Sequence, residues 1–108
     1  MTHIAALYQL RLKPNRADEY HLLWKKMVSF MKSRGALGST IHQADNGDII
    51  IYSRWPDKKT YHSAWPEKDR MEAELPKEIF LLSEEMKACI EELIDQKTLQ
   101  VKEDCLLS

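Results

Sequence analysis

The most constraining feature of the sequence is the pair Asn46-Gly47, which lies between two apolar runs at 37–44 and 49–55. Both central residues of a two-residue hairpin turn need a positive φ angle, which asparagine and glycine adopt more easily than other residues. The pattern therefore predicts two antiparallel strands joined at this turn.

A strand and a helix are predicted before the hairpin. Apolar residues occupy every second position from Ile4 to Leu12, which is typical of a half-buried strand. Asn15 is the predicted N-cap of the following helix, because acidic residues occur in the next turn, and Gly35 suits the left-handed position after its end. The apolar positions of this helix are Tyr20, Leu23, Trp24, Met27, Phe30 and Met31.

Three more elements are predicted after the hairpin. Pro56-Asp57 indicates the start of a short helix that ends at Pro66, and the charged segment 67–78 predicts a solvated connection with a turn of helix. Alternating residues at 97–102 predict a fourth strand. A second amphipathic helix of about sixteen residues is predicted before it from Ile79, Leu82, Met86, Ile90 and Leu93.

The predicted order, β-α-β-β-α-β, is that of ferredoxin-like α+β domains, in which two helices cover one face of a four-stranded antiparallel sheet. A chain of 108 residues has room for one such core, so residues 1–108 are expected to form a single domain with its core at about 3–103.

Strand three carries apolar residues on both of its faces. Ile49 and Ile51 point to one side, and Ile50 and Tyr52 point to the other. Because the helices cover only one face, we expect a second copy of the chain to cover the other, as a homodimer through sheet faces. The alternative is a monomer with a modest exposed apolar patch.

The charge balance argues against several classes of partner. Sixteen basic and seventeen acidic side chains give a net charge of −1, so neither nucleic acid nor an anionic membrane surface is an expected partner. No run of uncharged residues approaches the roughly 18 apolar residues that span a bilayer, and the first residues lack the pattern of a secretory signal. A cytoplasmic location is expected.

Cysteine and histidine spacing predicts free thiols and no metal site. Cys89 and Cys105 lie sixteen positions apart, and the four histidines form no chelating pair in the sequence. The last four residues, Cys105 to Ser108, fit a prenylation pattern, but the preceding residues 102–104 lack the basic cluster that supports a single lipid anchor. We interpret this pattern as coincidental.

Three segments together carry a family resemblance: IAALYQLRLKPN at 4–15, DIIIYSRW at 48–55, and the aromatic run from Trp55 to Trp65. With them the chain, over about residues 3–103, resembles the antibiotic biosynthesis monooxygenase family of dimeric α+β barrel proteins. The resemblance implies a homodimer, and it implies an oxidoreductase that oxidises aromatic phenols with O₂ and uses neither metal nor flavin. No cofactor is therefore expected.

A reaction of this kind needs a proton acceptor, a dry aromatic pocket and groups that stabilise an anion. His62 is the predicted acceptor, because an imidazole with a pKa of about 6.5 can take a proton at neutral pH. Tyr8 is the second predicted catalytic residue, through its hydroxyl. Substrate-binding residues are predicted at Trp24, Tyr52, Trp55 and Trp65. Alternatively, His62 is an exposed helix residue and the aromatic side chains are ordinary core.

Three functions are compatible with the sequence. The first is a cofactor-independent monooxygenase that acts on a small aromatic or quinone-like compound in a pocket between sheet and helices. The second is a non-catalytic dimeric module that binds a small hydrophobic ligand. The third, a haem-binding or haem-degrading relative, is disfavoured: Tyr8 stands where such members place an asparagine, and no histidine follows His62 to ligate iron near Glu74 or Leu75.

Overall fold

The structure is a computed structural model that describes residues 3–104. Within this range no helix is both long enough and apolar enough to cross a membrane. The strands are β1 Ile4–Leu12, β2 Gly38–Gln43, β3 Ile49–Trp55 and β4 Ile90–Gln100. The helices are α1 Ala17–Ser33, α2 Lys58–Ala64, the single turn α3 Met71–Glu74, which follows a 3-10 turn at Lys68–Arg70, and α4 Lys77–Ala88.

The four strands form one antiparallel sheet in the order β2-β3-β1-β4. Tyr8 lies opposite Ile51 and Leu10 opposite Ile49, so these four residues share one face of the sheet. Helices α1 and α4 pack on this side, which we call the covered face. The predicted ferredoxin-like α+β fold, with two long helices on one side of a four-stranded antiparallel sheet, is confirmed.

Two apolar clusters form the core on the covered face. The larger joins β1, β3, α1 and α4 through Leu10, Tyr20, Leu23, Met27, Ile51, Leu82 and Cys89. The smaller joins the other end of the sheet to α2 through Ile4, Ala6, Trp55, Tyr61 and Ala64. Helix α2 is therefore attached to the sheet by its own small core.

The start of α1 differs from the prediction. Asn15 has a φ angle of 63°, and Arg16 is the N-cap without a side-chain hydrogen bond to the helix. The prediction that Asn15 is the N-cap was wrong, because Asn15 is one of the few residue types that tolerate the left-handed conformation and it serves the preceding turn. At the other end, Gly35 has a φ angle of 107°, which confirms the predicted end of the helix.

The central hairpin is confirmed, but its two-residue turn is not. Ala44 N–H donates to the Asp48 carbonyl at 2.8 Å and Gly47 N–H donates to the Ala44 carbonyl at 2.9 Å, which leaves a three-residue loop. Gly47 alone in this loop has a positive φ angle, 92°, as in a turn followed by a bulge. Asn46 contributes through its side chain, whose Oδ1 accepts from Asp48 N–H at 3.0 Å.

Asp48 ties the hairpin to β1. Burial alone would raise the pKa of its carboxyl, but hydrogen bonds from Gln9 at 3.2 Å, Arg11 at 3.1 Å and Asn46 at 3.1 Å together lower it below the ordinary value. The carboxylate is thus buried as a charged and well-paired group.

The boundary between α4 and β4 also differs from the prediction. The helix ends at Ala88, and Ile90 and Leu93 belong to β4, where they pair with Leu12 and Leu10. Two steps along β1, from Leu10 to Leu12, therefore face three steps along β4, and the register shifts at this point. Ile90 and Leu93 are three residues apart, a spacing that also occurs in helices. In the strand, the bulge between them keeps both side chains on the same face of the sheet.

Within residues 3–104 no helix packs on the second face of the sheet, which we call the open face. Leu7 lies opposite Tyr52, and Gln9 lies opposite Ile50. Leu7, Ile50 and Tyr52 are half-buried, and Leu99 on the neighbouring strand is 40% exposed. The prediction of apolar side chains on both faces of β3 is confirmed.

Candidate functional site

A cavity of about 410 Å³ lies between the covered face and the helices. Strands β1 and β3 supply Tyr8, Leu10 and Ile51 to its wall. Helices α1 and α4 and the end of α2 supply most of the remaining apolar wall, through Trp24, Met27, Val28, Met31, Trp65 and Met86. A cavity with such walls suits a small apolar or aromatic molecule.

Tyr8 lines the cavity and carries a hydroxyl. Its oxygen lies 2.8 Å from the hydroxyl oxygen of Tyr61, a residue of α2. Burial raises the pKa of Tyr8 far above its usual value, and the adjacent Tyr61 raises it further. Burial likewise raises the pKa of Tyr20, which also lines the cavity. At neutral pH both hydroxyls are therefore protonated, so each has a proton to donate and neither is a base.

Charged side chains of both signs surround the apolar walls. Lys32, Lys68 and Lys87 lie among the lining residues with Glu91 and Glu92, and all five residues are exposed. We call this set the charged rim. It gives the cavity a polar and solvated border around a largely apolar interior.

The structure brings three of the six predicted site residues together. Tyr8, Trp24 and Trp65 all line the cavity. The indole Nε1 of Trp24 is buried, and no atom of the described residues accepts its hydrogen bond. These three side chains come from β1, α1 and the end of α2, so the fold gathers them from separate elements.

The other three predicted residues lie outside the cavity wall. Trp55 is 1% exposed and belongs to the smaller core cluster. Tyr52 lies on the open face, where its hydroxyl accepts a hydrogen bond from Arg54 at 3.0 Å. His62 is exposed, and its ring centroid lies 5.2 Å from that of Tyr61. These three side chains therefore do not line the same pocket as Tyr8.

Tyr61 is a site residue that the sequence prediction missed. Its ring is buried and packs edge-on against Trp55, with the centroids 5.3 Å apart. The sequence spacing could have indicated it: Tyr61 and Trp65 are four residues apart and therefore share one helix face. The hydrogen bond to Tyr8 spans 53 positions in the sequence and is visible only in the fold.

Cys89 and the residues around it give no indication of a reactive thiol. Its side chain is buried in the larger core cluster, and burial raises the pKa of the thiol. Over residues 3–104, no group of three or more His, Cys, Asp or Glu side chains is arranged to hold a metal ion. The C-terminal prenylation pattern at 105–108 lies outside the described residues.

No model of a known protein family matches the sequence, and no curated protein is significantly similar to it. Solved structures are nevertheless similar in fold over almost the whole chain. Rv0793 from Mycobacterium tuberculosis superposes with a TM-score of 0.71 at 8% sequence identity, covering 95% of this chain and 98% of that protein. A protein from Chloroflexus aurantiacus, assigned as an antibiotic biosynthesis monooxygenase, gives a TM-score of 0.70 at 13% identity and covers 94% and 96% of the two chains.

A third similar structure is SnoaB, a cofactor-independent oxygenase from Streptomyces nogalater. Its TM-score is 0.68 at 9% identity, and the alignment covers 99% of this chain and 98% of SnoaB. These structures agree with the resemblance that the sequence carries. The chain has the α+β fold of the antibiotic biosynthesis monooxygenases.

Proposed function

We propose that this protein is a monooxygenase that oxidises a small aromatic or quinone-like compound with O₂ inside the cavity. The observation that carries the proposal is the protonated Tyr8 hydroxyl in an otherwise largely apolar wall. Such a hydroxyl donates a hydrogen bond to a phenolic or carbonyl oxygen, and the aromatic side chains Trp24 and Trp65 provide contact surface for a ring.

The chemistry suits a substrate that is itself acidic, such as an anthrone. Loss of one proton gives a delocalised anion, which transfers electrons to O₂ and forms a carbon–oxygen bond. One oxygen atom remains on the substrate as a carbonyl, and the other leaves as water with both hydrogens of the reacting carbon. Tyr8 stabilises the anion by hydrogen bonding to its oxygen, and the apolar wall keeps bulk water away from it.

Two sets of groups are candidates for the proton acceptor. Sequence reasoning favours His62, whose exposed ring lies next to Tyr61 and not in the cavity wall. Glu91 lies among the residues that line the cavity, at its charged rim, whereas the carboxylate of Glu92 lies 3.9 Å from the Arg11 guanidinium. We propose that the proton leaves toward this rim, and variants of Tyr8 and His62 test the alternative.

The direct test is oxygen uptake by the purified protein with anthrones, quinols and catechols. We expect uptake above the rate without protein for at least one anthrone, together with formation of the corresponding quinone. Heat-denatured protein is the control, because anthrones also oxidise slowly in air. Uptake equal to this control for every compound would reject the monooxygenase proposal.

One observation favours a second function, a non-catalytic module that binds a small hydrophobic ligand. The two tyrosine hydroxyls that line the cavity have raised pKa values, so neither serves as a base at neutral pH. Binding of the same compounds without oxygen uptake would select this function.

We also propose that two copies of the chain pair through their open faces. Leu7, Ile50 and Tyr52 form an apolar strip at the centre of this face, and charged residues of both signs, Lys97 and Asp95, pair beside it in the sheet. A face with both signs of charge around an apolar centre is suited to self-pairing about a two-fold axis. Complete burial of Ile50 and Tyr52 would contribute at most about 1.5–3 kcal/mol each before the costs of association.

We expect the protein to sediment at twice its chain mass of 12.7 kDa and Ile50→Lys to sediment as a single chain. A lysine in the apolar strip would place a desolvated charge in the interface, which is costly. Leu22→Lys is the matched control, because Leu22 is 63% exposed on α1, away from the open face. A wild-type protein that sediments as one chain at micromolar concentration would contradict the dimer, and circular dichroism checks that both variants fold.

A further inference from the structure

We infer that Tyr61 is a positioning residue, which holds the Tyr8 hydroxyl so that its proton points to an acceptor oxygen of the ligand. The inference rests on the proposed function, since it assumes that the cavity binds the ligand. It assigns a role to a buried hydroxyl outside the cavity wall, and it specifies that the ligand presents a hydrogen-bond acceptor to Tyr8.

The two hydroxyls differ in their surroundings. Tyr8 lines the cavity and is half-buried. Tyr61 is 6% exposed, does not line the cavity, and is fixed by edge-on packing against Trp55. Among the described residues, the hydroxyl of Tyr61 has one hydrogen-bond partner, the hydroxyl of Tyr8 at 2.8 Å.

One hydrogen bond between two hydroxyls uses one of their two protons. If Tyr8 donated, the proton of Tyr61 would be buried with no acceptor among the described residues, which is unfavourable. If Tyr61 donates, its proton is satisfied and the proton of Tyr8 is free for the cavity. The second arrangement is therefore preferred, and it makes Tyr8 a donor toward the ligand.

A chain of hydrogen bonds from Tyr61 to Tyr8 to the ligand is also cooperative. Donation by Tyr61 polarises the Tyr8 hydroxyl and makes it a stronger donor. A ligand oxygen that gains negative charge would strengthen both bonds, so the pair suits an oxygen that becomes anionic during the reaction. Loss of the Tyr61 hydroxyl should weaken the bond to the ligand without changing the apolar wall.

Fluorenone and fluorene are a matched pair of probes for this inference. They have the same three-ring shape, but only fluorenone has a carbonyl oxygen that accepts a hydrogen bond. Their affinities are measured by calorimetry, and the infrared carbonyl stretch of bound fluorenone reports the strength of the hydrogen bond directly. The variants are Tyr61→Phe and Tyr8→Phe, with Ser63→Ala as a control that removes an exposed hydroxyl from the same helix.

We expect bound fluorenone to show a carbonyl stretch below its value in an apolar solvent. In Tyr61→Phe the stretch should move part of the way back, and fluorenone affinity should fall about three- to tenfold while fluorene affinity stays unchanged. In Tyr8→Phe the shift should disappear, and adding Tyr61→Phe to it should have no further effect, because the two hydroxyls act in series.

The outcomes distinguish this inference from the function on which it rests. If Tyr61→Phe leaves the carbonyl stretch and the fluorenone affinity at their wild-type values while Tyr8→Phe changes both, the positioning role is wrong and the cavity remains. If Tyr61→Phe weakens both probes equally, its role is packing, and the inference is again wrong. If neither probe binds the wild-type protein, the proposed ligand cavity fails and this inference fails with it.

Discussion

Replacing Trp55 with alanine is expected to lower the free energy of unfolding by about 3–5 kcal/mol. The indole is 1% exposed and belongs to the small core that joins α2 to the sheet, together with Ile4, Ala6, Tyr61 and Ala64. Because domains of this size are stable by only about 5–15 kcal/mol, the variant should unfold at much lower urea concentration. Urea denaturation followed by circular dichroism measures the loss.

Trp55→Phe provides the matched comparison. It keeps most of the ring packing and removes an indole N–H that has no hydrogen-bond acceptor in the described part of the chain. We expect it to lose clearly less stability than Trp55→Ala. A Trp55→Ala protein with wild-type stability but weakened binding of aromatic compounds would contradict the core assignment and support the substrate-binding role predicted from the sequence.

The order of the elements could be predicted because several boundaries carry a local signal. Pro56 and Asp57 are an example: Asp57 accepts a hydrogen bond from Thr60 N–H at 2.7 Å, as expected of the cap that begins α2. Gly35 is another, since its φ angle of 107° after the end of α1 is strained for a residue that carries a side chain. Such signals depend on neighbours in sequence.

The junction of α4 and β4 could not be predicted in the same way. A spacing of three between Ile90 and Leu93 is typical of a helix, and it arises equally from a strand that contains one extra residue. A helix and a bulged strand differ here in whether β1 pairs with residues 90–93. That pairing joins residues far apart in the sequence, so no local pattern indicates it. The strand register shows the extra residue, because Leu10 lies opposite Leu93 and Leu12 lies opposite Ile90.

The candidate site was predictable to the extent that its residues lie on apolar faces. Tyr8, Trp24 and Trp65 follow the periodicity of their elements, so both the core and the cavity wall could be anticipated. His62 was selected for its chemistry, but it lies one residue, about 100° of helix rotation, from Tyr61, which occupies the buried position. Chemistry alone did not determine which of the two neighbours faces the sheet.

Tyr8→Phe is expected to reduce oxygen uptake with an anthrone about 10²-fold, the size of effect seen when one donor to a developing oxyanion is removed. The substitution keeps the ring in the cavity wall and deletes only the hydroxyl, whose raised pKa keeps it protonated as a donor. The reduction should be mainly in kcat, because the hydrogen bond strengthens as negative charge develops on the substrate. Steady-state oxygen uptake over a range of anthrone concentrations separates kcat from KM.

His62→Ala, measured in the same assay, decides between the two proposed routes for the proton. We expect it to retain activity within about twofold, because its side chain is exposed and lines no part of the cavity, and substitutions at such positions have small effects. A loss of kcat of about 10²-fold or more in His62→Ala would instead identify the imidazole as the proton acceptor. In that case α2 would have to move to bring the imidazole to the substrate, because the ring lies beside Tyr61 and outside the cavity wall in this structure.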